Sequence, residues 1–298
     1  MTMPRPIHII PQFPEGRNDQ MICGMIGALT TPPSSAWIQW IEDTFEHFNE
    51  APQYGGGSFT ENWKKPPKAA GQFNLIRRKL ENFIDDPKLV KDYFHIDFSN
   101  LASKSLNDSS KIEIDISRSR NMQIKCTPQT IVAFSFRDFR ADEVLSVSAD
   151  IEVRLIEQFA PQYGFVTQYP AAWHWGFPVA GVCWEPSNWN SFEPDNKIYE
   201  QRVYRCADRR VYTNPPENGY LREVYTINLI NDRHLAAPLN GATLGDYVAT
   251  HGMLTKNIHG SALHRWHVPD DIIDSVRNDL EHSGLILGSE TEPLALPA

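Results

Sequence analysis

The chain has 298 residues, 41% of them apolar and 22% charged, with a formal net charge of −9. That length supports one large domain or two modest ones, and the composition is globular, not that of a disordered chain. The acidic balance repels phosphate backbones and anionic membranes, so neither nucleic acid nor membrane is an expected partner.

The first twenty residues hold four prolines and lack an apolar core of export-signal length. The longest aromatic-apolar stretch, 171–184, is interrupted by His174 and Pro178 and is too short to span a bilayer. The expected location is the cytoplasm. Four cysteines, Cys23, Cys126, Cys183 and Cys206, are scattered without a CxxC pair. Buried free thiols are expected, rather than a disulfide framework or a zinc site.

Residues 20–30 form an apolar run that reads as a strand. Thr31 to Ser35 then set a helix start, with Trp37, Ile38, Trp40, Ile41, Phe45 and Phe48 at helical spacing. The Gly-, Pro- and Lys-rich stretch 51–71, including Gly55-Gly56-Gly57, reads as a long surface loop. A helix follows near 72–84. The Ser- and Asn-rich segment 99–110 has no periodicity and is the expected lobe boundary, giving lobes 1–108 and 109–298.

Strict alternation in KIEIDIS, 111–117, predicts a half-buried strand, followed by strands at 121–126 and 130–136. A helix is expected over 141–159 and a strand over 163–169. The predicted fold class is α+β, two lobes of mainly antiparallel sheet covered by helices. The last ten residues read as a frayed tail.

Two constellations invite a chemical reading. His251, His259, His264 and His267 fall within seventeen residues, and neutral imidazole is a good metal ligand. But ALHRWHV alternates as a strand, which sends His264 and His267 to opposite faces. There is no HExxH and no neighbouring cysteine. Locally bonded histidines are the plainer reading, and a metal-dependent hydrolase using them is the alternative. Glu113 and Asp115 share one strand face and, with Lys125, could imitate a magnesium-binding nuclease set. The solvent face of any alternating strand looks the same. The chain has no GxSxG elbow and no phosphate loop, so no catalytic residue, metal or cofactor is assigned.

Trp173, Trp175, Trp184 and Trp189 crowd a segment broken by Pro, Gly and Asn. Trp is usually buried, yet it also dominates binding hot spots. These four are the candidate partner-binding residues, with a plain core role as the other reading.

Residues 221–287 carry a resemblance. Val224-Tyr225-Thr226-Ile227-Asn228-Leu229-Ile230, then His234-Leu235, Pro238-Leu239-Asn240-Gly241 and Thr243-Leu244 lead it. Gly252-Met253-Leu254, Trp266-His267-Val268 and Gly284-Leu285-Ile286 complete it. This stretch, under a quarter of the chain, resembles the C-terminal part of bacterial immunity proteins that neutralise polymorphic toxins, including type VI secretion effectors with a nuclease domain. The resemblance implies a cytosolic binder rather than an enzyme, with a cognate basic nuclease toxin as partner and steric blocking as its action. Charge complementarity would speed such capture.

Overall fold

The computed structural model describes residues 19–27, 34–59, 68–89, 94–100, 112–119, 129–136, 144–170, 201–202, 205–206 and 219–296. The fold is α+β with antiparallel sheet, as the sequence predicts. The chain divides into two compact units, one of Asn18–Pro161 and one that includes Gln162–Ala298.

In the first unit, six strands hydrogen-bond in the order β1-β6-β5-β4-β2-β3. They are β1 (Asp19–Gly27), β2 (Tyr54–Phe59), β3 (Lys68–Gln72), β4 (Phe94–Ser99), β5 (Ile112–Ser119) and β6 (Gln129–Phe136). Every pairing among them is antiparallel. The segment at which the sequence places a lobe boundary joins β4 to β5, which are neighbours in this sheet.

Register explains the core. Phe98 lies opposite Ile114, which lies opposite Phe134, and Ile96 and Val132 both lie opposite Ile116. All are buried on the face covered by helices α1 (Ala36–His47), α2 (Phe73–Ile84) and α3 (Val144–Phe159). Trp37 of α1 meets Phe94 of β4 and Phe159 of α3, with ring centroids 5.9 and 5.1 Å away. These contacts realise the aromatic stripe that predicts α1. Arg77 of α2 makes a two-pronged ion pair with Glu42 of α1, and Glu42 raises its pKa. The paired guanidinium joins the two helices at the surface.

The triple glycine is not a loop. Gly55, Gly56 and Gly57 lie inside β2, between β3 and β4. A Cβ on Gly57 would sit 2.7 Å from Leu80 of α2, and one on Gly56 would sit 2.4 Å from Asp97 Oδ1. Close approach of a helix on one face and a carboxylate on the other selects glycine here. Sequence pattern cannot separate that from a flexible turn.

In the second unit, four strands run β11-β12-β8-β7, each pairing antiparallel. They are β7 (Tyr163–Pro170), β8 (Ile227–Ile230), β11 (Met253–Thr255) and β12 (His264–His267). Helix α4 (Asp232–Ala236) starts on Asn231, whose side-chain oxygen accepts from the N–H groups of Arg233 and His234. Helix α5 (Leu244–Val248) starts on Thr243, in a reciprocal capping box with Asp246. Between them β9 (Pro238–Leu239) and β10 (Ala242–Thr243) form a hairpin. Its two-residue turn, Asn240-Gly241, has φ of 49° and 84°. That positive pair is why Asn-Gly occupies it. Helix α6 (Ile273–Glu281) precedes a chain segment that pairs parallel with Leu221 through Ile286.

The end of the chain is docked as far as residue 296, contrary to the frayed tail that composition suggests. Leu294 N–H donates to Gly284 O at 3.0 Å, and Leu296 packs on Cys206, Tyr220 and Leu287. Leu296 gains a core to pack against, which a window of ten residues does not reveal.

Candidate functional site

The four tryptophans singled out as partner-binding, Trp173, Trp175, Trp184 and Trp189, lie outside the described residues, as do Lys125 and Cys183. The histidines are described. His264 is buried and its Nε2 lies 2.8 Å from Asp232 Oδ1, while its Nδ1 accepts the Asn257 N–H. His267 points to the other face of β12, as strand phase predicts. Its pKa is lowered by partial burial and by Arg265, against an opposing pull from Asp270. The His251 ring stacks on Tyr247 at 3.8 Å, and His251 O accepts the Trp266 indole N–H. Among the described residues no group of three or more His, Cys, Asp or Glu side chains could hold a metal.

His234 is buried and stacks on Tyr163. Burial lowers its pKa to about 3, so the ring is neutral, and Nε2 bonds to Tyr220 O at 3.1 Å. Gly219 lets the chain pass close by: with φ of +82°, its Cβ would strike Arg233 O at 2.8 Å. These are the packing requirements of a scaffold.

Glu113 and Asp115 do share a strand face, but that face is not solvated. Glu113 is 8% exposed and Asp115 1%. Asp115 lies opposite Asp97 on β4, and His95 Nε2 sits 3.3 Å from Asp115 Oδ2 and 3.6 Å from Asp97 Oδ1. β5 is covered on both faces from Ile112 to Ile116, so alternation here separates apolar core from buried polar face. The sequence pattern has no way to distinguish a buried polar face from a wet one.

A second buried polar group holds α6 in place. Glu223 takes Arg202 on one oxygen and Arg277 on the other, the latter at 3.3 Å. Arg202 also reaches Glu281 at 2.8 Å, and Arg277 reaches Asp274 at 2.8 Å. Burial alone would raise the Glu223 pKa; Arg202 and then Arg277 bring it below the usual carboxylate value. The nearby Cys206 thiol donates to Arg222 O, and burial pushes its pKa up to about 12. A thiol so raised is a poor nucleophile.

What remains on the surface is charge. Helices α4 and α5 pack together, and Tyr247 OH of α5 donates to Asp279 Oδ2 of α6 at 2.9 Å. Asp232, Asp246 and Asp279 are exposed on these helices, and Asp270, Asp271, Glu290 and Glu292 are exposed on the segments that flank α6. Over the same residues, 219–296, the exposed Lys and Arg are Arg233 and Lys256. Seven exposed carboxylates against two exposed cations make the surface of this stretch negative, and low ionic strength extends the reach of its field.

No protein-family model matches the chain, and no curated protein matches it significantly. Among solved structures the chain is similar to Pseudomonas aeruginosa T6SS protein PA0821. The TM-score is 0.51 at 13% identity, over 96% of this chain and 81% of that one. The likeness is one of fold. Among the described residues no helix is long and apolar enough to cross a membrane.

Proposed function

We propose that this protein is a type VI secretion immunity protein that binds a cognate toxin and blocks it sterically. The observation that carries the reading is the fold likeness to a T6SS protein over nearly the whole chain. The resemblance of residues 221–287 to immunity proteins agrees with it. The acidic layer of α4, α5 and α6 supplies the chemistry of recognition, a negative surface for a basic toxin such as a nuclease. Tyr247, with its hydroxyl on Asp279, offers an aromatic anchor among the carboxylates. An interface of standard size buries roughly 1,200–2,000 Å² in total.

The test is co-expression with toxins encoded beside the gene. Rescue of growth, together with a stable complex on gel filtration, is the expected result. Failure to bind or neutralise any neighbouring toxin removes the proposal.

A further inference from the structure

The opposite charge collects at the far edge of the first unit's sheet. β3 is the last strand of that sheet, paired on one side with β2. Among the described residues no strand covers its outer edge. Lys68, Ala70 and Gln72 are exposed on the face away from α2, and Ala69 is buried beneath that helix. The strand has no proline, and Lys68 is its one charged residue. An open row of backbone donors and acceptors of this kind is a template for another strand.

Beside the edge, α2 presents half-buried Ile76 and Phe83, with Lys79 Nζ 5.6 Å from the Phe83 ring centroid. Ile76 lies against the position where Gly71 would carry a Cβ. Leu75 on the same helix is 78% exposed. Lys68, Arg78 and Lys79 are exposed, and among the described residues none of them is ion-paired. In a chain of net charge −9, an exposed Lys68 on the open strand, with Lys79 on the adjoining helix, favours an acidic occupant.

We infer that the β3 edge and the adjoining side of α2 form a strand-addition site for an extended segment of a partner protein, one that alternates apolar and acidic side chains. Main-chain hydrogen bonds to β3 supply affinity; the side chains that face α2 are apolar and meet Ile76 and Phe83, and those that face away are carboxylates, which Lys68 attracts. A second copy of the chain fits less well, because it would bring these same cations toward each other. The site is independent of the immunity reading: it lies in the other unit and has the opposite charge to the acidic layer.

The experiment uses the full chain and two probes, a peptide of alternating valine and glutamate and its valine–lysine counterpart. Hydrogen exchange at residues 68–72 is followed as each is titrated. The glutamate peptide should slow exchange there and the lysine peptide should not. The substitution Lys68→Glu should weaken binding of the glutamate peptide by about fivefold, because it replaces a surface ion pair with a like-charge contact. Ala70→Asp, at an exposed position, should weaken it independently. Equal binding of the two peptides, or exchange at 68–72 unchanged by either, overturns the inference. A dimer in sedimentation that Ala70→Asp dissolves would also overturn it, by making a second copy the occupant.

Discussion

The imidazole of His234 lies nearly flat on the phenol ring of Tyr163, with centroids 5.1 Å apart and planes 12° from parallel. Both residues are fully enclosed, and the hydroxyl of Tyr163 accepts the backbone N–H of Arg222 at 3.1 Å. One stacked pair thus joins β7, the start of α4 and the strand-like segment at Leu221.

Burial of His234 makes stability depend on acid. The His234 pKa is lowered from 6.5 to about 3, so the folded state excludes a proton that the unfolded chain accepts. Stability is fully present above about pH 6.5 and falls as pH drops from there toward about 3. Urea unfolding at stepped pH should show a steeper loss in the native protein than in His234→Gln. Equal slopes would remove His234 as the cause.

Glu223 should be the least replaceable carboxylate in the second unit. Glu223→Gln removes the counter-ion shared by buried Arg202 and half-buried Arg277, which keep Glu281 and Asp274. A loss of about 1.5–3 kcal/mol is expected, the cost of charge-assisted hydrogen bonds in a buried group. Chemical denaturation measures it. The double substitution Glu223→Gln, Arg277→Met should be milder than the sum of the singles.

The glycines of β2 offer a stability test of close packing. Gly56→Ala places a methyl 2.4 Å from Asp97 Oδ1, and Gly57→Ala places one 2.7 Å from Leu80 Cδ2. Each should cost about 1–3 kcal/mol by overpacking. Gly241→Ala meets nothing within 4 Å, so its cost is confined to its φ of +84°. Thermal melts of the three variants should rank Gly241→Ala as the mildest.

Cys206 should resist alkylation in the native protein. It is 3% exposed, and its pKa is pushed up to about 12 by burial. Mass spectrometry of the peptide containing Cys206 after iodoacetamide treatment should show label only once denaturant is added. Rapid native labelling would contradict the buried position.

If the acidic layer captures a basic toxin, charge reversal there should act on the rate of encounter. Asp271→Lys with Glu290→Lys should slow association by about tenfold at low salt, with a smaller effect on dissociation. Stopped-flow binding across ionic strength separates the two.

Local chemistry determined a good part of this protein. The helical stripe from Trp37 to Phe45, the alternation of Ile112, Ile114 and Ile116, and the phase that separates His264 from His267 are all legible in the sequence. Each depends on periodicity within one element, and periodicity is local. The Asn240-Gly241 turn and the Asn231 cap are local in the same way, because they require particular backbone angles. Tertiary structure decided the rest. Only pairing with β3 and β4 makes a strand of Gly55 to Gly57, and only the approach of Leu80 and Asp97 keeps it glycine. Burial of both faces of β5 turns Glu113 and Asp115 from a solvent face into a buried polar one. The Arg202–Glu223–Arg277 group spans residues far apart in the chain, so no window of sequence contains it. The surface charge divides the same way: composition supplies its sum, but only packing puts carboxylates around α4 to α6 and unpaired cations beside β3.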